Sequence, residues 1–149
     1  MTSPSRHLCL VLAVAVVAAC RSSAAALELE KQSPAAAQGR LIQDLGIETL
    51  GGVFTPLLTS GQTLPCEITE TFSTAADNQE HVEVRLFRGK AKLARDATLI
   101  GRFVIEGLPK LPRGTPMVAV TFSVTANGTV RVTAREKSGH PVRLRRSDG

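Results

Sequence analysis

Residues 117 to 135 read "MVAVTFSVTANGTVRVTAR", and the period of this stretch decides the fold. Val118, Val120, Phe122 and Val124 alternate with Ala119, Thr121 and Ser123. An extended chain with that pattern has one apolar side and one small or polar side. Ala126-Asn127-Gly128 follows, and Thr129 to Arg135 alternates again. Asn-Gly between two alternating runs is the strongest short hairpin signal, so the stretch predicts two paired antiparallel strands.

Working outward, the same grammar recurs. Glu67 to Ser73 and Val82 to Arg88 read as strands, "IGRFVIEG" puts Phe103 and Ile105 on one face, and Val142 to Arg146 forms a last strand. Leu41 to Thr55 carries apolar residues around the glycine-punctuated "GIETLGG". Prolines at 56, 65, 109, 112, 116 and 141 fall outside the centres of the best strands. No amphipathic helix of useful length follows the first 26 residues. Seven or eight short strands at this spacing predict an antiparallel sandwich or barrel. Two features resist a simple inside-outside pattern. Leu86 and Phe87 put apolar groups on both faces of one strand, and Ile47 and Leu50 sit in a glycine-rich segment. Both are open to two readings: displaced core, or the lining of an exposed groove.

The N-terminus is of another kind. Leu8 to Ala19, "LCLVLAVAVVAA", is an uninterrupted apolar run preceded by Arg6 and His7. It is too short to span a bilayer, which takes about 20 residues, and fits a helical secretory signal followed by small residues. Two processing routes are open: signal cleavage after Ala26, or lipidation at Cys20, since "VAAC" (Val17 to Cys20) resembles the bacterial lipobox. The chain therefore divides into a leader (1–26), a flexible spacer (27–43), a folded body (44–146) and a tail (147–149). Export to the cell envelope or periplasm is the expected location, with a membrane tether if Cys20 carries lipid, and the cytoplasm the alternative if the start is misassigned. Of the three cysteines only Cys66 lies in the body, so no intramolecular disulfide holds it.

Charge and chemistry narrow the function. The net charge of +5 is concentrated late, at Arg131, Arg135, Lys137, Arg143, Arg145 and Arg146. Single-strand nucleic-acid binders offer stacking aromatics, whereas aromatics here are 3% and all Phe. Several of these cations alternate with Val130, Val132, Val142 and Leu144, as the wet face of strands does, so no nucleic-acid partner is expected. "TLGGVF" lacks the Lys-Ser/Thr of a phosphate-cradling loop. His7, His81 and His140 have no nucleophile or carboxylate arrangement around them, and His81 and His140 lack ligand-like spacing to Cys66. The expectation is therefore a protein that is not an enzyme, with no metal and no cofactor.

"LGIETLGGVFTPLL", "FSTAADNQEHVEV", "ARDATLIGRFVIEGLP" and "PRGTPMVAVTFSVTANGTVRVTAREK" together resemble, in order and spacing, the substrate-binding domain of the heat shock protein 70 (DnaK-like) chaperones. The resemblance covers residues 44 to 146. It implies an all-β fold, an antiparallel two-sheet sandwich of about eight strands, that holds extended apolar segments of unfolded polypeptides in a groove. It further implies a pocket lined by Ile47, Thr49, Phe72, Val82, Val84 and Val118, and an arch over the peptide backbone formed by Leu50 and Ala75. Ser73, Thr74 and Gln79 match loop positions that contact the peptide.

Three departures from the family pattern accompany it. No ATPase domain, no acidic linker and no helical lid match residues of this chain, and Arg113 matches an arginine that the family turns toward the lid. The expectation is a passive holding module without ATP. The alternatives are a remnant that binds nothing, an adaptor docking a dedicated partner, or a fragment of a full ATP-dependent chaperone.

Overall fold

The computed structural model describes residues 25–29, 36–37 and 39–147. The leader as far as residue 24, Cys20 included, and part of the expected spacer lie outside them.

The described residues form two antiparallel sheets packed face to face. One has the strand order β1-β10-β9-β6, the other β11-β8-β7-β4-β5. The first comprises β1 (Ala25–Leu29), β10 (Val130–Glu136), β9 (Met117–Val124) and β6 (Cys66–Ser73). The second comprises β11 (Arg143–Arg146), β8 (Thr98–Glu106), β7 (His81–Arg88), β4 (Leu45–Thr49) and β5 (Val53–Leu58). β2 (Ala36–Ala37) and β3 (Arg40–Leu41) make a separate two-residue ladder. The one helical turn among the described residues is the 3-10 turn Ala94–Asp96. An all-β sandwich is the observed architecture.

The decisive hairpin forms as its alternation dictates. β9 and β10 pair from Val130 opposite Val124 to Glu136 opposite Val118. The turn closes with Thr125 N–H donating to the Thr129 carbonyl at 2.9 Å and Gly128 N–H to the Thr125 carbonyl at 2.9 Å. Val118, Val120, Phe122 and Val124 point into the core and are fully buried there with Val132. Phe103, Ile105, Val82, Val84 and Leu86 meet them from the other sheet. Because cross-strand neighbours share a face, each buried residue of one strand is backed by another of the next.

Phe87 resolves one ambiguity. The β7–β8 register slips between Leu86 and Phe87, so the two successive apolar residues serve different cores. Leu86 enters the main core, while Phe87 packs with Phe54 and Ala94 in a second, smaller cluster. That cluster lies over Gly46, where a side chain is excluded: an added Cβ would stand 2.4 Å from the Thr55 carbonyl oxygen and 2.8 Å from the Phe54 ring.

Ala25–Leu29 spans the end of the expected leader and the start of the expected spacer, and here it is a strand. Ala25 stands opposite Ala134 and Leu29 opposite Val130, closing the edge of β10.

One buried carboxylate organises the turn after β10. Glu136 is 3% exposed. It accepts hydrogen bonds from the Ser138 hydroxyl, from Ser138 N–H at 2.8 Å and from His140 N–H at 3.2 Å. Burial by itself raises its pKa, but the hydrogen bonds from Ser138, His140 and Met117 outweigh burial and hold the carboxyl below its ordinary value. A group with a lowered folded pKa stabilises above its unfolded value of about 4.3 and loses that contribution as pH falls through the folded value. Glu136→Gln is therefore expected to cost about 1–3 kcal/mol near neutral pH. The gap between variant and wild type should close on acidification below about pH 4. Urea midpoints measured across pH check this; a gap independent of pH would contradict it.

Candidate functional site

β4 runs antiparallel to β7, with Ile47 opposite Leu86 and Leu45 opposite Arg88. The end of β4 and the start of β7 at His81 therefore lie at one end of the sandwich. β6 leaves at that same end after Ser73, which stands opposite Met117 at the start of β9. Two loops thus rise from one end of the two sheets: residues 50–52 between β4 and β5, and residues 74–80 between β6 and β7.

Beneath them the core runs out to this end from both sheets. Val82 lies opposite Ile105 in one sheet, and Phe72 opposite Val118 in the other. Ile47, Val82, Val84 and Val118 are buried in the main core, and Phe72 packs against it half-buried. The structure therefore brings five of the six expected pocket residues into one apolar cluster. Thr49 is separate from it: exposed at the end of β4, its hydroxyl pairs with that of Thr55 at 2.9 Å.

The first loop is a tight reversal, closed by Gly52 N–H donating to the Thr49 carbonyl at 3.0 Å. Gly51 and Gly52 take φ of 83° and 74°, a conformation that side chains with a Cβ rarely adopt. The reversal leaves Leu50 at the tip, 99% exposed. A groove of about 450 Å³ beside it is lined by Glu48, Thr49, Leu50, Glu83 and Arg85. Arg85 bridges the two carboxylates there, at 3.2 Å to Glu48 and 2.7 Å to Glu83.

The second loop carries Ala75 and is fastened from two directions. Within it, Gln79 Oε1 accepts from the amides of Ala75 and Ala76 at 3.1 and 3.2 Å, and Gln79 Nε2 donates to the His81 carbonyl at 2.6 Å. Across to the loop before β9, Gly114 N–H donates to the Thr74 carbonyl at 3.0 Å, and Asn78 N–H to the Leu111 carbonyl at 2.9 Å. Arg113 N–H donates to Asp77 Oδ1 at 2.9 Å, and the Ser73 hydroxyl to the Pro116 carbonyl at 2.8 Å. The polar groups of Ser73, Thr74 and Gln79 are thus engaged inside the protein, where they shape the loop that holds Ala75. Asp77 lies in a turn, where aspartate is common for local backbone reasons. Its partner is a backbone amide 36 positions away, which no local pattern announces.

Among the described residues no group of three or more His, Cys, Asp or Glu side chains is arranged to hold a metal. Burial raises the pKa of Cys66, which keeps the thiol protonated.

A family model described as Hsp70 protein matches residues 17–143. The chain is 49% identical over 94 residues to the chaperone protein DnaK of Anaplasma marginale, covering 63% of this chain and 15% of that protein. It is 48% identical over 96 residues to the mitochondrial heat shock protein SSC3 of Saccharomyces cerevisiae, covering 64% and 15%. A mitochondrial heat shock 70 kDa protein of Dictyostelium discoideum is 45% identical over 108 residues, covering 70% and 16%. These matches overturn the expectation that the protein is no enzyme, because Hsp70 homologues are ATPases. That expectation rested on missing catalytic groups in a stretch that spans about 15% of the length of such relatives.

Proposed function

The chain belongs to the Hsp70 protein family, and on that premise we propose that its sandwich is a chaperone's client-holding unit, gripping extended apolar segments of unfolded polypeptides. The observation that carries the reading is the apolar end shared by the two sheets beneath a pair of tight loops. One loop presents a fully exposed leucine, the other a small alanine. Ile47, Phe72, Val82, Val84 and Val118 line the pocket that takes one client side chain, with Thr49 at its mouth. Leu50 and Ala75 arch over the client main chain. Ser73, Thr74 and Gln79 hold the lip at the height that lets it pass. An apolar side chain gains by leaving water, while the extended main chain finds amide partners along the loop.

Titrating the full chain into a fluorescently labelled leucine-centred heptapeptide is expected to raise anisotropy saturably. The midpoint should be micromolar or weaker, a binding free energy of about −8 kcal/mol or less favourable. No saturable change up to millimolar protein would sink the holding function in favour of a sandwich that docks a dedicated partner or binds nothing. For location, we infer export to the cell envelope with a lipid on Cys20. The apolar run Leu8 to Ala19 ending in "VAAC" supports this.

A further inference from the structure

β10 ends at Glu136, opposite Val118, and the following Lys137 N–H donates to the Met117 carbonyl at 2.8 Å. β11 begins at Arg143, opposite Glu106, which itself stands opposite His81. The turn between β10 and β11 is therefore a corner at the same end of the sandwich as the two loops. Arg135 near the end of β10, Lys137 in the turn and Arg143 at the start of β11 lie around it, all exposed. Among the described residues none of the three makes an ion pair. Two carboxylates lie beside them and offset part of this charge: Glu136, buried and hydrogen-bonded by Ser138 and His140, and Glu106, which stands opposite Arg143 and binds Arg145 at 2.8 Å. Alternation along a strand explains a wet face, but not why three exposed cations without an ion pair among the described residues lie at one corner.

The N-terminal segment joins the sandwich at this corner. Ala25 opens β1 opposite Ala134, next to Arg135. Cys20 lies five positions earlier, a reach of at most about 17 Å. The register also separates the two processing routes. Cleavage after Ala26 would remove the partners of Ala134 and Thr133 from β1, whereas a chain beginning at Cys20 keeps the whole strand.

We propose that the corner formed by Arg135, Lys137 and Arg143 faces an anionic phospholipid bilayer. The inference rests on the export reading above, since it is a lipid on Cys20 that would hold the corner within reach of the headgroups. Cations close to an anionic leaflet each strengthen attachment, and the attraction decays within a Debye length of about 8–10 Å. A tether shorter than about 20 Å therefore makes the charge of this particular corner count.

The test uses the full chain and the triple variant Arg135→Glu, Lys137→Glu, Arg143→Glu, floated with two kinds of vesicle. One is neutral phosphatidylcholine and the other contains about one third phosphatidylglycerol. Wild type is expected to partition onto the anionic vesicles on the order of a hundredfold more strongly than onto the neutral ones. That preference should vanish in the triple variant and in about 0.5 M salt. Equal partition of wild type onto both vesicles overturns the proposal, as does an anionic preference that survives in the triple variant. Displacement of wild type from the anionic vesicles by short single-stranded oligo-dT would assign the cations to nucleic acid and overturn it too. The export reading has its own readout, fatty-acid labelling in cells with Cys20→Ser as control. Absent label with a charge-dependent vesicle preference would fail the tether and keep the corner; label with no preference would do the reverse.

Discussion

Val82→Phe is expected to abolish saturable heptapeptide binding, a loss of at least about tenfold, while the chain still folds. Val82 sits opposite Ile105 at the end of the core that underlies the two loops, and its side chain is 7% exposed. A phenyl ring adds volume that the buried layer cannot take inward, because Phe103, Ile105 and Val118 are fully buried there already. On the proposed client-holding reading the ring takes the place of the client side chain, and overpacking costs about 1–3 kcal/mol. A small domain survives such a cost if its stability is in the usual range of about 5–15 kcal/mol. Far-ultraviolet circular dichroism and a thermal melt establish that the variant is folded. Undiminished binding by a folded Val82→Phe protein would place the pocket elsewhere.

Gly46→Ala should act on the fold itself. The added Cβ would stand 2.4 Å from the Thr55 carbonyl oxygen and 2.8 Å from two carbons of the Phe54 ring. Real Cβ atoms do not approach so closely, so β4 and β5 must separate or the ring must move. Both strands are fixed: Gly46 pairs with Pro56 on one side and Phe87 on the other. The expected destabilisation is about 3 kcal/mol or more, a fall in Tm of at least about 12 °C for a body of this size. Adding Phe54→Ala separates the causes. Because Phe54 is itself buried, the double variant is read against Phe54→Ala alone: losses that add place the clash on the Thr55 backbone, and a loss smaller than the sum places it on the ring. A Gly46→Ala protein that melts with wild type would mean that β4 and β5 are not packed as described.

Particular residues show why some of this was legible and some was not. The β9–β10 hairpin could be read directly because a period of two and an Asn-Gly turn are both local. Val82, Val84 and Val118 could be placed on one face by the same alternation, and Phe72 only through the family resemblance. Phe87 could not, because the slip in register after Leu86 is a property of the β7–β8 pairing and leaves no mark on β7 alone. Ala25–Leu29 escaped for a related reason. "AALEL" is poor in the β-branched and aromatic residues that strands favour, and its partner lies more than 100 positions away. The loop around Ala75 looked like a set of polar groups awaiting a ligand. In the fold, Gln79, Thr74 and Asp77 spend those groups on the protein's own backbone.

By itself the sequence determined that this body is all-β and which side of a strand such as β9 faces inward. Each of these follows from patterns carried within a few residues, where the alternation of side chains and the chemistry of a turn act. Only the tertiary structure decided which strands lie beside one another, and with that the excluded side chain at Gly46 and the second cluster under Phe87. It also decided that β1 closes the edge of β10 beside Arg135, and that exposed cations with no ion pair among the described residues lie at the corner where the N-terminal segment arrives. Those facts depend on pairings between distant stretches, and a strand's own residues say which way its side chains point but not what they will meet.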